Sequence, residues 1–293
     1  MRSALFVPGD SEKKLTKALG SSADALFIDL EDSVAADAKD HARQLTNEFL
    51  QTAVATKARP KLYVRVNAYD TGFTSADLSA IMGAKPDGIV LPKSEHGQDV
   101  TQLDAELRVH EAENGLNDGS TRIVAIITET AIGTLNAGTY RRSSQRLLGV
   151  AWGAEDLSAD VGAPRRRHDD GTYRDLFRFA RIQTLLGAVA AEVMPFDTIY
   201  PDFRDDAGLR RECQEAVYDG FLGKMAIHPG QIDIINEVFT PDAEEIERSQ
   251  NIVDAFEKAG NPGVLSLNGE MLDLPHLKKA KKMLARASDY RSS

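Results

Sequence analysis

The stretch Ala25-Leu26-Phe27-Ile28-Asp29-Leu30-Glu31-Asp32 is an apolar run that ends in three carboxylates. The run has almost no polar alternation, which is typical of a parallel strand covered on both faces. In parallel α/β proteins, ligands bind beyond the carboxyl ends of the strands. The stretch therefore predicts a parallel α/β protein whose functional side chains follow its strands.

Seven further apolar runs repeat this pattern, and longer amphipathic or alanine-rich stretches separate them. Helical spacing is clear at residues 101–113 and 175–190, and Ser11 is suited to cap the first helix. Eight βα units, with no G-x-G-x-x-G after the first run, favour a (β/α)8 TIM barrel over a Rossmann sheet. The predicted strands are residues 4–7, 25–30, 62–66, 88–91, 123–127, 147–152, 198–200 and 225–227.

The pattern predicts a barrel over residues 1–232 and a C-terminal helical extension over residues 233–293. In the extension we expect an acidic helix at 241–259, a loop rich in Gly, Pro and Asn through 261–263, and a basic helix from Pro275 onward.

Composition limits the classes of function. A hydrophobic fraction of 42% and a charged fraction of 27% are those of a soluble globular protein. The net charge of -10 argues against nucleic-acid binding, which needs a surplus of Lys and Arg. The N-terminal apolar run is too short for a signal peptide or a membrane span. The single cysteine, Cys213, excludes an internal disulfide and is expected to be structural, so the cytoplasm is the expected location.

Charged side chains follow most of the predicted strands. Any one of them could belong to an ordinary polar loop, but carboxylates crowded at one barrel mouth are unfavourable unless a cation offsets them. Oxygen ligands without clustered His or Cys favour Mg²⁺, or Mn²⁺, over zinc. His228 is the one candidate histidine, and a structural role for it is the preferred interpretation. The strand-end groups are Asp29, Glu31, Asp32, Arg65, Asn67, Lys93, Glu95, Glu129, Glu155, Asp156, Asp202 and His228.

Eight segments in order resemble the citrate lyase β-subunit and malyl-CoA lyase family, within the HpcH/HpaI aldolase superfamily. They cover nearly the whole chain, and eight ordered motifs are far more specific than any one alone. The segments are RSALFVPGD (2–10), FIDLEDSV (27–34), VRVN (64–67), GIVLPK (88–93), ITET (127–130), WGAEDL (152–157), IHPGQ (227–231) and NGEMLD (268–273).

The resemblance implies a homotrimeric barrel enzyme that cleaves or forms a β-hydroxyacyl-CoA thioester by Claisen chemistry. It implies that Glu129 and Asp156 hold Mg²⁺. It also implies that Arg65 binds the carboxylate and oxygen of the hydroxy-acid part, a task that suits a bidentate guanidinium. Asp273 matches the family's acid/base aspartate, which reaches the barrel mouth of a neighbouring subunit.

Further site residues follow from the same resemblance. Glu31 and Asp32 are expected beside the substrate with Glu129, where they hold metal-bound waters or orient Arg65. The family places basic residues of the first helix near the CoA phosphates, and here Lys13 and Lys17 lie four apart.

Some of these assignments have alternatives. Surface solubility explains the two lysines equally well. Glu270 departs from the family, where lysine is common. The basic loop at 165–168 either meets an anionic ligand or is a solvated loop paired with Asp169 and Asp170.

Three functional alternatives remain open at this stage. The first is a citrate lyase β-subunit that acts on citryl groups held by an acyl-carrier partner. The second is a class II pyruvate-type aldolase, which uses no thioester. A non-catalytic scaffold is disfavoured because Arg65, Glu129, Asp156 and Asp273 are all present. The pattern does not distinguish malyl, methylmalyl, citramalyl and citryl thioesters, nor does it say whether hydrolysis follows condensation.

Overall fold

Eight parallel strands form a closed barrel in the computed structural model, which describes residues 1–291. The strands follow chain order around the barrel, and the first pairs with the last. The predicted (β/α)8 TIM barrel is confirmed. The strands are β1 (Ser3–Pro8), β2 (Ala25–Asp29), β3 (Lys61–Arg65), β4 (Gly88–Leu91), β5 (Arg122–Ile126), β6 (Leu147–Ala151), β7 (Met194–Asp197) and β8 (Gly223–Ala226).

Helices alternate with these strands and continue beyond them. The helix predicted at 101–113 begins earlier, because His96 and Asp99 form a capping box around its first turn. In the described part of the chain, no helix has the length and apolar character needed to cross a bilayer. The helices are α1 (Glu12–Leu19), α2 (Lys39–Ala53), α3 (Thr74–Ile81), α4 (Gly97–Glu113), α5 (Ala131–Leu135), α6 (Ala154–Asp160), α7 (Asp175–Ala191), α8 (Asp206–Asp219), α9 (Ile232–Phe239), α10 (Ala243–Lys258) and α11 (Leu274–Arg291).

Two predicted strands were misplaced. The seventh was expected at 198–200, but β7 lies earlier and contains Pro195, a residue that argues against a central strand because it lacks an N–H. The Pro195 carbonyl still accepts a bond from the Leu222 N–H. The eighth was expected at 225–227, but β8 begins earlier and includes Lys224, which is fully buried and paired with Asp197 and Glu212.

The barrel interior is filled by apolar side chains from alternate positions along the strands. Phe27 and Tyr63 belong to this core, so the residues two positions further on also point inward. Those residues are Asp29 and Arg65, which face each other in register at the carboxyl ends of β2 and β3. The barrel thus places an acid and a base side by side in its uppermost interior layer.

Helix α7 differs from an ordinary amphipathic helix because large apolar side chains lie on its exposed face. Its large apolar side chains Leu176, Phe179, Ile182 and Leu186 are each at least two-fifths exposed. The opposite face, which includes the small residues Ala180, Thr184, Gly187 and Ala188, is the buried one.

The chain forms two compact units, Met1–Asn236 and Glu237–Ser293. In the second unit, α10 and α11 pack with an antiparallel hairpin of β9 (Val264–Leu267) and β10 (Glu270–Asp273). This hairpin was not predicted, although its two-residue turn is Asn268-Gly269 with both φ values positive. An Asn-Gly pair is a strong hairpin signal because both residues tolerate the left-handed region.

Candidate active site

A cavity of about 400 Å³ opens at the carboxyl ends of the strands, the barrel mouth. Asp29, Asp32, Arg65, Glu129 and Asp156 all line it. The structure thus gathers residues from β2, β3 and the ends of β5 and β6, although they are far apart in the sequence. Four of the residues predicted for the site lie here.

Arg65 is clamped by carboxylates. Its Nε and Nη2 each donate to an oxygen of Asp29 at 2.7 Å, which is a bidentate pair. Its Nη1 lies 2.9 Å from Glu31 Oε2 and 3.5 Å from Asp32 Oδ2. The Glu31 contact lacks the alignment of a hydrogen bond, and Glu31 Oε2 is left without a hydrogen-bond donor. Asp29, which the sequence did not single out as a site residue, therefore fixes the orientation of Arg65.

Lys93 is a second cation of the mouth. Its ammonium donates to Glu31 Oε1 at 2.6 Å and lies 3.3 Å from carboxylate oxygens of Asp32 and Asp156. Its backbone has φ 47, in the left-handed region that non-glycine residues seldom occupy. The sequence placed Lys93 at a strand end but assigned it no role.

Glu129 is held by the backbone around it. Its side chain is buried, and its Oε2 accepts the Lys93 N–H at 2.6 Å. A Cβ at Gly153 would lie 2.6 Å from Glu129 Cγ, so only glycine leaves room for this carboxylate. The Gly153-Ala154 turn after β6 thus belongs to the site because it makes space for Glu129.

The carboxylates of the mouth carry more negative charge than Arg65 and Lys93 balance. Burial, reinforced by the nearby charges of Asp156 and Glu31, raises the pKa of Glu129 well above its usual range. Burial also raises the pKa of Glu31 to about 7, although Arg65 and Lys93 act to lower it. Carboxylates crowded together in this way favour the binding of a cation, because like charges at short range are unfavourable unless an opposite charge offsets them.

The donor set fits a hard divalent cation. Glu129 and Asp156 both line the cavity, and the charge of Asp156 acts on Glu129. Within residues 1–291, no three His, Cys, Asp or Glu side chains are arranged to hold an ion by themselves. Mg²⁺ commonly binds through only one or two carboxylates and completes its octahedron with water and substrate oxygens. The two carboxylates are therefore sufficient for magnesium, and they are a poor fit for a zinc site.

The raised pKa of Glu31 predicts a pH dependence of stability. Because the folded protein binds this proton more tightly than the unfolded chain does, the free energy of unfolding should fall as pH rises from about 4.5 to about 7. The loss is on the order of 3 kcal/mol over that window. We expect Glu31→Gln, denatured with urea in the presence of chelator, to show a shallower slope than the wild type, because the contribution of Glu31 is lost while that of Glu129 remains. Glu113→Gln, on the exposed surface of α4, should keep the wild-type slope, and an unchanged slope in Glu31→Gln would contradict the assignment.

Other predicted residues lie outside the cavity. Lys13 and Lys17 are exposed on α1. His228 caps a turn by accepting the Gly230 N–H at 3.1 Å, and it stacks on Phe203.

The basic loop at 165–168 is paired with carboxylates. Arg165 lies 3.2 Å from Asp169, and Arg166 lies 2.9 Å from Glu155. Arg167 pairs with Glu212 at 2.6 Å.

Cys213 is buried, and burial raises the pKa of its thiol to about 12. A thiol with so high a pKa is a poor nucleophile at neutral pH, in keeping with the structural role expected of it.

Asp273 and Glu270 lie on β10 of the second unit. Glu270, the departure from the family pattern, accepts from Arg248 Nη2 at 2.9 and 3.2 Å and so ties β10 to α10. Asp273 ends the strand, and His276 Nδ1 lies 2.5 Å from its Oδ1. His276 was not identified from the sequence.

The closed barrel with its charged mouth places the chain in the (β/α)8 class, and comparison with known proteins gives its family. Residues 2–229 match the HpcH/HpaI aldolase/citrate lyase family. Citrate lyase subunit beta of Escherichia coli (strain K12) is 36% identical over 288 residues, which span 98% of this chain and 93% of that protein. The chain belongs to the HpcH/HpaI aldolase/citrate lyase family.

Two further relatives show the range of the family. The (3S)-malyl-CoA thioesterase of Cereibacter sphaeroides (strain KD131) is 37% identical, covering 98% of this chain and 94% of the relative. The crystal structure of CitE from Mycobacterium tuberculosis in complex with magnesium, acetoacetate and coenzyme A superposes with a TM-score of 0.78 at 31% identity, covering 98% of both chains. The expected family and the carbon–carbon lyase class are confirmed.

Proposed function

We propose that the protein is a Mg²⁺-dependent lyase that cleaves or forms a β-hydroxyacyl-CoA thioester by retro-Claisen or Claisen chemistry. The observation that carries this proposal is the convergence of Glu129, Asp156 and the clamped Arg65 on one cavity. The relatives support it, since one is a citrate lyase subunit, one is named for malyl-CoA, and CitE was crystallised with magnesium, acetoacetate and coenzyme A.

Glu129 and Asp156 would hold Mg²⁺, or Mn²⁺, at the wall of the cavity. When bound, the ion would make the substrate hydroxyl more acidic and stabilise the negative charge that develops on its oxygen. Glu129 suits this role because its buried carboxylate is costly to ionise without a cation.

Arg65 would bind the carboxylate and the oxygen of the hydroxy-acid part. Because Asp29 holds the Nε–Nη2 edge of the guanidinium, the remaining N–H groups are fixed before substrate arrives, and such preorganisation contributes several kcal/mol to catalysis. Glu31 and Asp32 would assist by holding Nη1 of Arg65 and the ammonium of Lys93.

Asp273 would be the acid/base group. In the cleavage direction the substrate hydroxyl loses its proton to solvent, and its oxygen becomes the carbonyl oxygen of the keto or aldehyde product. The bond between the hydroxyl-bearing carbon and the α-carbon breaks, and its electrons move onto the thioester carbonyl as an enolate. Asp273 then delivers a proton to the α-carbon. In the condensation direction its ionised carboxylate removes that proton.

We propose that Asp273 acts in a homotrimer, in which it serves the mouth of a neighbouring subunit. The exposed apolar face of α7, formed by Leu176, Phe179, Ile182 and Leu186, supports self-association, because monomeric proteins seldom expose such stripes. Lys13 and Lys17 would meet the CoA phosphates. We place the enzyme in the cytoplasm.

A panel of malyl-, methylmalyl-, citramalyl- and citryl-CoA tests the proposed reaction. With Mg²⁺ we expect at least one thioester to release free acyl-CoA together with a keto or aldehyde acid. Excess chelator should stop this release, and added Mg²⁺ or Mn²⁺ should restore it, because the two carboxylates cannot replace the charge of the ion. Chelator-insensitive turnover would contradict the metal assignment. Cleavage of 4-hydroxy-2-oxo acids with no thioester turnover would favour a class II aldolase.

A citrate lyase β-subunit is the second candidate, because that relative aligns with 98% of the chain. Such a subunit would act on citryl groups attached to an acyl-carrier partner. Turnover of a citryl-carrier thioester, with none of citryl-CoA, would favour this interpretation. Formation of free CoA and a free hydroxy acid from acetyl-CoA and an oxo acid would show that hydrolysis follows condensation, and the name of the thioesterase relative describes hydrolysis of malyl-CoA by that protein.

A further inference from the structure

The side chains of Asp273 and His276 form a carboxylate–imidazole pair at the junction of β10 and α11. Nδ1 of His276 lies 2.5 Å from Oδ1 of Asp273, and both side chains are about two-fifths exposed. The hydrogen of this contact belongs to Oδ1 when Asp273 is protonated and to Nδ1 when Asp273 is ionised, because an ionised carboxylate only accepts hydrogen bonds.

We propose that His276 positions the Asp273 carboxylate and returns to it the proton that it delivers to the substrate. This inference rests on the proposed function, in which Asp273 is the acid. After Asp273 gives its proton to the enolate carbon, Nδ1 of the neutral imidazole takes up the proton that the substrate hydroxyl released to solvent and passes it to the carboxylate, while Nε2 keeps its hydrogen. The hydroxyl loses one proton and the α-carbon gains one, so charge and protons balance over one turnover.

The surroundings of the pair agree with this role. The His276 side chain, which hydrogen-bonds to the Asp273 carboxylate, is the largest influence on that group and holds its pKa below the usual range. A second ion pair of the unit, Arg248–Glu270, joins α10 to β10. Lys278 and Lys279 follow on α11.

The contact also has a purely structural interpretation. Asp273 immediately precedes α11, and His276 stands three residues later, which is the spacing of a capping box. The Asp273 N–H lies 3.3 Å from His276 Nδ1 in keeping with that motif. Glutamine at the third position also completes a capping box, so His276→Gln preserves the cap but removes the titratable ring. His276→Ala removes both.

The test compares His276→Gln, His276→Ala and Asp273→Asn in the full-length protein on an active thioester. We expect both His276 variants to lower kcat about tenfold with KM unchanged, less than the hundredfold or greater loss expected for Asp273→Asn. In the condensation direction the acidic limb of their pH–rate profiles should move to higher pH, because Asp273 loses the donor that keeps it ionised. Added imidazole should restore part of the activity of His276→Ala and none of that of Asp273→Asn.

Each outcome separates the two proposals. If Asp273→Asn is inactive but His276→Gln keeps the wild-type kcat and pH profile, the relay is wrong and the role of Asp273 stands. The same conclusion follows if only His276→Ala loses activity and does so together with a lower Tm, because His276 is then a cap. If Asp273→Asn is fully active, both the acid/base assignment and the relay are overturned.

Discussion

Replacement of Asp156 by alanine is expected to lower Mg²⁺-dependent kcat by about 10³-fold or more while the fold stays intact. In the proposed site Asp156 and Glu129 together hold the ion, so the variant keeps only one of the two proposed carboxylate ligands. The fold should survive because the Asp156 side chain is about three-tenths exposed, and its ion pair with Lys93 is 3.3 Å long. Surface contacts of this kind contribute little to stability.

Two measurements check this prediction independently of each other. Titration of Mn²⁺ by electron paramagnetic resonance should show weaker binding to Asp156→Ala than to the wild type, and steady-state kinetics should show the loss of kcat. Thermal unfolding should be nearly unchanged. Asp169→Ala is the matched control, because Asp169 lies in an exposed loop and pairs only with exposed Arg165. Full activity of Asp156→Ala with wild-type Mg²⁺ dependence would exclude this residue as a ligand.

The barrel and its charged mouth could be predicted because they depend on patterns that are local in the sequence. A continuous apolar run such as 25–28 favours a buried parallel strand whatever its neighbours are. Once eight such runs close in order, every residue after a strand is brought to the same mouth. Arg65, Glu129 and Asp156 were therefore found without knowledge of any contact between them.

The pairing within the mouth could not be predicted, because it depends on strand register and side-chain reach. Asp29 clamps Arg65 only because β2 and β3 pair them directly. Lys93 donates to Glu31 across the mouth. Its backbone is in the left-handed region, a conformation that no sequence pattern predicts for a lysine. Gly153 matters because of the space it leaves for Glu129, a distance that only the folded chain defines.

Periodicity also failed to show which face of a helix is buried. In α7 the recurring large residues Leu176, Phe179, Ile182 and Leu186 suggest an inward face, yet the small opposite face packs on the barrel. Close helix–strand packing favours small residues at the contact, so the larger apolar stripe is left outside. Lys224 is the opposite case, because lysine is usually exposed. Here it is fully buried, and Asp197 and Glu212 neutralise its charge.

Replacement of Arg65 by methionine is expected to have the largest combined effect on stability and activity. The substitution leaves Asp29, which is 2% exposed, without its cation. Removal of one partner of a buried ion pair typically costs about 3–5 kcal/mol, so the free energy of unfolding in urea should fall by that amount. Turnover should fall by about 10³-fold or more, because the fixed donors to the substrate carboxylate are lost. Arg108→Met is the control for stability, since its pair with Asp104 lies on the exposed side of α4 and should change the free energy by less than about 1 kcal/mol.

A double variant separates the two roles of Arg65. Asp29→Asn removes the unpaired charge, so combining it with Arg65→Met should recover about 1–3 kcal/mol of the lost stability. Activity should stay low in the double variant, because a neutral amide on β2 cannot replace the guanidinium at the substrate. Recovery of stability without recovery of kcat is therefore the signature of a residue that is both half of a buried ion pair and a substrate ligand. If the double variant regained activity as well, Arg65 would act only through the folding of the mouth, and its proposed contact with the hydroxy acid would be wrong.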